Sequence, residues 1–354
     1  MSTNRLPPMR FGIVGCGGIS HLHAQCLAEL EAEGLATLVA GAESDPARGK
    51  SWAERWNVPV HESLEALLKR NDIDTVIITT PSGMHGDMAV QIAKSGRHIL
   101  SEKPLDVRVE KVDAAIEAAK ACKVTLGGIF QQRFCPGPQK VKRAIDLGFF
   151  GKIVFVHCET PWYRSQAYYD SGDWRGTWAL DGGVLFNQAP HMIDRIIWLG
   201  GDVESVTAAE VKCGYQRDIE AETLAAAVFK TTGGAIGTIT GTTLAYDGLD
   251  QRVLICGTTG SAAFRADDLV QFKTEKPYNE PDPAPPEPAK LPDGKSSAPL
   301  NMSTVSHRAN IRDFIFAVRE NRAPAVTGED QRKVVRAINL IYQKAKVGPY
   351  AGKS

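Results

Sequence analysis

The sequence predicts an α/β domain over residues 1–130, a doubly wound parallel sheet, followed by an α+β domain over residues 131–354 with a large, open, mainly antiparallel sheet. Three observations predict this. The 354 residues exceed what one hydrophobic core serves, since cores stop growing at roughly 250 residues. From Met9 onward, short apolar runs alternate with helical patterns, the βαβα rhythm of a parallel sheet covered on both faces. Later in the chain, strand-length runs follow one another with few helices between them, as antiparallel strands do.

Arg10–Val14 reads as a buried strand, residues 15–20 as a glycine turn, and His21–Ala32 as a helix with Leu22, Cys26 and Leu30 at helical spacing. Thr37–Ala42 is a second strand, after which Asp45-Pro46 supplies an N-cap and a first-turn proline for a helix reaching Trp56. The series continues as a helix at Ser63–Lys69, a strand at Thr75–Thr80, a helix at His85–Ser95, a strand at His98–Leu100, a helix at Val109–Cys122 and a strand at Val124–Ile129. In the second domain, strands are expected at Ile153–Thr160, Val206–Lys212, Leu224–Lys230, Ala235–Thr243, Gln251–Cys256 and Ser261–Phe264. A helix at Gln188–Leu199 should pack on one side of them. Eight prolines between 276 and 299 deny that stretch regular hydrogen bonding, so it is expected as a surface loop or docking strap. Helical patterns at Val305–Glu320 and Glu329–Lys346 close the chain and have the length to pack back on the first domain.

Composition narrows the function classes. Apolar residues make up 43% and charged residues 23%, as in globular proteins. The 41 basic and 41 acidic residues cancel, so nothing draws a polyanion, and nucleic acid is not an expected partner. The longest apolar runs have strand length, which predicts no membrane span. Residues 1–10 lack the apolar core of a signal peptide, so a cytoplasmic location is expected. Seven cysteines, scattered and never spaced Cys-x-x-Cys, suggest reduced thiols and no metal site.

Gly15, Gly17 and Gly18 stand where the first strand hands over to a helix, with Ile19 beside them. Backbone amides there can approach a pyrophosphate while the helix N-terminus supplies partial positive charge. The third fingerprint position, usually Gly or Ala, is Ser20. Glu43, next to Ser44 at the end of the second strand, is placed to accept hydrogen bonds from both adenosine ribose hydroxyls, which favours NAD. A 2′-phosphate would meet the carboxylate's charge, with Arg48 offering partial compensation if NADP were bound. Thr80-Pro81-Ser82 and His85 leave another strand at the rim where open parallel sheets bind ligands, and Glu102-Lys103-Pro104 leaves the next. A lysine desolvated there loses pKa and can carry a proton at neutral pH. Gln131 and Arg133, beyond the last parallel strand, can reach cofactor or substrate.

With the glycine turn, the Thr-Pro rim and the Glu-Lys-Pro tripeptide, the chain resembles the Gfo/Idh/MocA family of oxidoreductases over nearly its whole length. The resemblance continues through Asp181-Gly182-Gly183-Val184-Leu185-Phe186-Asn187-Gln188-Ala189-Pro190-His191, similar to the family's glycine-rich stretch and catalytic helix. It implies a Rossmann domain that binds NAD, and a lysine, an acid and a histidine around the reacting hydroxyl. Those positions read Lys103, Asn187 and His191. An amide orients a substrate but accepts no proton, so proton transfer is expected of Lys103 or His191. Asp194, one turn on, orients a substrate hydroxyl or binds a neighbouring backbone group.

Trp162-Tyr163-Arg164, Tyr168-Tyr169 and Trp174-Arg175 form the densest aromatic and arginine cluster. Aromatic faces bind the apolar side of a pyranose, and arginine forks grip a carboxylate or diphosphate. The cluster is similar to that of members acting on UDP-N-acetylglucosaminuronic acid at its 3-hydroxyl. The expectation is therefore an NAD(H)-dependent oxidoreductase acting on a secondary hydroxyl of a sugar, sugar acid, nucleotide sugar or inositol. An NAD-dependent glycoside hydrolase and a non-catalytic NAD-binding regulator are the rival expectations. Alternating apolar residues such as Leu224, Ala226 and Val228 predict a sheet face that pairs into a homodimer or homotetramer.

Overall fold

The computed structural model describes residues 6–281 and 304–352. Most of the proline-rich stretch, from 282 to 299, lies outside the described residues. The chain divides into two compact units: Met1–Leu105, Glu110–Gln131 and Pro286–Gly328 form the first, and Asp106–Val109, Gln132–Pro285 and Glu329–Ser354 the second.

The first unit runs β1 (Met9–Val14), α1 (Gly18–Ala32), β2 (Ala36–Ala42), α2 (Pro46–Trp56), β3 (Val60–His61), α3 (Leu64–Leu68), β4 (Thr75–Ile78), α4 (His85–Lys94), β5 (His98–Ser101), α5 (Val109–Ala121) and β6 (Leu126–Gly128). Its sheet has the order β3-β2-β1-β4-β5-β6, with every pair parallel. This is the doubly wound order, whose ligand crevice lies where it reverses, at the C-terminal ends of β1 and β4. The sequence explains the elements locally. Phe11, Ile13, Val76, Ile77, Ile78, Ile99 and Leu100 are buried, as a sheet covered on both faces requires. Asp45 caps α2 by accepting the amides of Ala47 and Arg48 at 2.9 and 3.0 Å, and Pro46 takes the first turn. The two-residue edge strand β3 was not predicted, being too short to leave an alternation.

The second unit opens with α6 (Pro136–Asp146), β7 (Ile153–Pro161), α7 (Gln166–Asp170), α8 (Val184–Asn187) and α9 (Pro190–Gly200). It then makes β8 (Val203–Cys213), β9 (Glu222–Thr231), β10 (Ile236–Thr242), β11 (Arg252–Gly257), β12 (Gly260–Arg265) and β13 (Asp268–Thr274). The sheet order is β13-β12-β11-β7-β10-β9-β8; β7 and β10 run parallel and all other pairs antiparallel. α9 packs against β7 and β11, over Val156, Cys158, Val253 and Ile255. On β9 the alternation is strict: Ala225, Ala227 and Phe229 are buried, while Leu224, Ala226 and Val228 face out. Four elements escaped prediction, the short helices α7 and α8 together with α6 and β13. α6 starts with Pro136-Gly137-Pro138, which reads as a breaker although proline is well placed in a first turn. β13 pairs with β12 across a tight connection in which Ala266 has a left-handed φ of 50°.

The last two helices part company. α10 (Thr304–Arg319) belongs to the first unit, because Ile311, Phe314 and Ile315 complete the cluster formed by Phe11, Ile13, Leu27 and Leu100. α11 (Gly328–Ala345) lies in the second unit from Glu329, burying Val334, Val335, Ile338, Ile341 and Tyr342. Of the two closing helices expected to pack back on the first domain, α10 groups with the first unit and α11 with the second. Among the described residues, no helix is long and apolar enough to cross a membrane.

Candidate active site

In the first unit, the glycine turn is braced from below and open from above. Gly15 has φ +91°, and a Cβ there would stand 2.8 Å from the Thr80 amide nitrogen, so only glycine fits. Thr79, which precedes the Thr-Pro rim, shares its hydroxyl between the carbonyls of Val14 and Gly15 at 2.9 and 2.6 Å. Gly17 is the N-cap of α1; a Cβ there would meet nothing within 4 Å, and Gly18 is exposed. The first amides of α1, with half-buried Ile19, are open to a phosphate, and this cradle fits the pyrophosphate of a dinucleotide. Ser20 is buried; its hydroxyl donates to the Gly17 carbonyl at 2.5 Å and accepts the Trp52 indole N–H at 2.9 Å. Serine therefore closes the turn by a bond that Gly or Ala would lack.

Glu43 ends β2 beside this turn. One carboxylate oxygen accepts the Cys16 amide at 2.9 Å and the other the Asp45 amide at 3.0 Å, with exposed Ser44 at 3.5 Å. Arg48 stands 3.6 Å away. The carboxylate is thus fixed next to the cradle, where it suits ribose hydroxyls. Beyond β6, at the start of a 3-10 turn, Gln131 is buried and its Oε1 has no hydrogen-bond partner among the described residues, an acceptor suited to a donor on a bound molecule. Half-buried Thr80, Pro81 and Ser82 lead off β4 into a short 3-10 turn on the same rim.

Two rim residues are corrected. His85 does not face the rim: it is buried, with Nδ1 and Nε2 each 2.7 Å from a backbone carbonyl, those of Pro104 and Thr80. It ties the β4 loop to the Glu-Lys-Pro loop. Glu102 likewise turns inward. Its Oε1 lies 2.7 Å from Nε2 of His23, and its Oε2 accepts the Lys103 amide at 3.0 Å. Burial works to raise the Glu102 pKa, but the hydrogen bond and charge of His23, with His307 and Lys103, hold it well below the usual carboxylate range. His307 from α10 meets His23 edge to face at 5.8 Å. Lys103 itself is half-buried on the rim. The sequence signal for His23 was a polar residue among Leu22, Leu27 and Leu30 on the buried side of α1.

In the second unit, half-buried Asn187 ends α8 and half-buried His191 stands in the first turn of α9. The Asn187 amide donates to buried Asp181 and accepts from Gln188 at 3.0 Å. Asp181 also accepts the Gly176 amide at 2.7 Å. Arg133 and Asp194, expected to meet cofactor and substrate, instead pair with each other. Both are buried, joined at 2.6 and 2.9 Å, with Asp330 at 3.2 Å. Burial works against the Arg133 charge, but Asp194 and Asp330 outweigh it and raise its pKa. On the next position of α9, Arg195 reaches Asp267 and the Ala266 carbonyl, each at 2.7 Å. Ion pairs thus anchor the helix that carries His191.

The aromatic cluster is a ladder. Arg164 stacks between Trp162 and Tyr168 at 5.0 and 4.9 Å, and Arg175 between Tyr168 and Trp174 at 4.3 and 4.5 Å. The Nε atoms of both arginines are buried without hydrogen-bond partners, and neither guanidinium forms an ion pair among the described residues. Arg217, absent from the sequence expectation, lies over Tyr163 at 5.4 Å and donates to the Arg164 carbonyl at 2.8 Å. A cavity of about 460 Å³ opens beside Arg175, lined by Asp170, Asp173, Asp218 and Glu220 among others. Its four carboxylates make it a poor seat for an anion, and neither Asn187 nor His191 lines it.

Comparison with known proteins agrees with both halves. Residues 9–129 match the oxidoreductase family with an NAD-binding Rossmann fold, and residues 139–263 match the GFO/IDH/MocA C-terminal domain. Inositol 2-dehydrogenase of Rhizobium meliloti is 28% identical, aligned over 91% of this chain and 92% of its own. The WlbA dehydrogenase from Bordetella pertussis, solved with NADH and UDP-GlcNAcA, is 30% identical with a TM-score of 0.83, covering 96% of this chain and 97% of that one. Its counterpart from Chromobacterium violaceum, solved with the same two ligands, is 31% identical with a TM-score of 0.83 over 97% of each chain. An NAD-binding doubly wound unit followed by a matching C-terminal domain makes this chain an NAD-dependent dehydrogenase, and it belongs to the GFO/IDH/MocA oxidoreductase family.

Proposed function

We propose that the chain oxidises a secondary hydroxyl of an anionic, sugar-like substrate, a sugar acid or a nucleotide sugar, with NAD as hydride acceptor. The observation that carries this reading is the ladder, in which Arg164 and Arg175 are stacked on aromatic faces with their charges unpaired. Arg164 gives Nη1 to the Tyr163 carbonyl at 3.1 Å; the other donors of the stacked guanidinium forks suit a carboxylate or diphosphate, and the rings offer faces to a pyranose. Relatives solved with NADH and UDP-GlcNAcA support the same class.

The nicotinamide supplies the hydride acceptor when bound. Gly17 and the first turn of α1 hold its pyrophosphate, and Glu43 its ribose. On the substrate, Lys103 of the first unit and His191 of the second are the groups proposed to take the hydroxyl proton as the carbon loses its hydride. Asn187, held by Asp181 and Gln188, orients a substrate hydroxyl and accepts no proton. The outward face of the second sheet carries Leu224 and Val228 on β9 and Ile236 on β10, all exposed. We read it as the face that pairs two copies, and the cytoplasm as the site of action.

The test is NADH absorbance from purified protein, NAD+ and a panel of inositols, neutral sugars, sugar acids and UDP-sugars. The expected result is a kcat/KM about tenfold or more higher for anionic than for neutral sugars. Equal turnover of neutral polyols would remove the anionic class. Cleavage of nitrophenyl glycosides without NADH accumulation would make the chain a hydrolase instead.

A further inference from the structure

Glu222 is the first residue of β9 and is fully buried. Its Oε1 accepts two hydrogen bonds, from the Leu185 amide at 2.9 Å and the Tyr342 hydroxyl at 2.7 Å. Leu185 belongs to α8, the single turn that ends at Asn187, and Tyr342 comes from α11. The other oxygen, Oε2, is buried with no hydrogen-bond partner among the described residues. It presses on Gly183, where a Cβ would stand only 2.0 Å from it, so the glycine-rich stretch closes over the carboxyl group because it has no side chain there. The titratable groups facing Glu222 are Asp181, Tyr169, Cys213 and Tyr342, and none carries a positive charge.

We propose that Glu222 is a positioning residue for the reaction: it holds α8, and with it Asn187, through the Leu185 amide, and the grip depends on whether its carboxyl group is ionised. This rests on the dehydrogenase reading for its effect on turnover, although the grip itself does not. An ionised acceptor binds N–H and O–H donors about twice as strongly as a neutral one. Burial without a cation pushes the Glu222 pKa up to about 7, so both forms are populated at neutral pH. As pH rises through that value, α8 is gripped more tightly.

The purified full chain tests this without substrate. In an infrared titration, a protonated carboxyl band should disappear on raising pH within about one unit of neutrality, be missing from Glu222→Gln, and shift to higher pH in Tyr342→Phe. That shift follows because the tyrosine bond favours the ionised form. Hydrogen exchange at residues 184–187 should show protection rising through the same pH range in the native chain, and flat in Glu222→Gln. With a turned-over substrate, the same variant should lose about tenfold in kcat at pH 8, with KM for NAD+ unchanged. A band that does not titrate there, or equal protection in native chain and Glu222→Gln at every pH, overturns the proposal. A native chain that forms no NADH from any hydroxyl substrate overturns the dehydrogenase reading instead, while infrared and exchange still decide the grip.

Discussion

His23 and Glu102 form a buried pair in the first unit, with Nε2 and Oε1 2.7 Å apart, and the same carboxylate accepts the Lys103 amide. Two helices meet at the loop that presents the lysine: α1 brings His23 and α10 brings His307. Replacing His23 by Leu strands the carboxylate and should cost about 3 kcal/mol of stability, as breaking buried pairs does. It should also lower kcat more than it raises KM for NAD+. Chemical denaturation with steady-state kinetics on the same variant checks both.

The pair has a pH signature. Glu102 is held below its ordinary value, so the folded chain binds that proton less tightly than the unfolded one. Its contribution is present above the ordinary carboxylate value of 4.5 and is lost as pH falls below it. Glu102→Gln should therefore be markedly less stable than the native chain at pH 7, with the gap narrowing below about pH 4.5. Melting temperatures across that range test the sign.

Glu222 gives the opposite slope. Its pKa is raised from 4.5 to about 7, so the proton is held more tightly in the folded chain. Stability from this group is complete below 4.5 and is lost as pH rises through about 7, by up to about 3 kcal/mol. In Glu222→Gln that decline should vanish. Urea midpoints at low and slightly alkaline pH measure it.

Arg164→Ala combined with Arg175→Ala should raise KM for an anionic sugar by about ten- to a hundredfold, with kcat changed far less, because such contacts bind ground and transition state alike. Neutral substrates should hardly respond. A loss confined to kcat for both substrate classes would mean that the ladder is packing.

Much of the fold was legible in the sequence because its signals are local. The buried runs at β1, β4 and β5, the Asp45-Pro46 cap and the alternation of β9 each fall within a few residues. The side-chain partners were not legible, because pairing is long-range. Nothing near Arg133 in sequence indicates that Asp194 and Asp330 will claim it, or near His85 that two carbonyls will take both its nitrogens. The same holds for Glu222, which reads as an ordinary strand-end acid until Leu185 and Tyr342 converge on it. The glycine turn was readable because its chemistry is carried by the backbone itself.

Lys103 is the residue proposed to serve an NAD-dependent oxidation. Its most direct test is single-turnover NADH formation by Lys103→Met on the best substrate of the panel, alongside NADH binding followed by fluorescence. Binding should stay within about threefold of the native chain while the hydride-transfer rate falls at least about a hundredfold. Native-rate turnover by Lys103→Met would contradict that role.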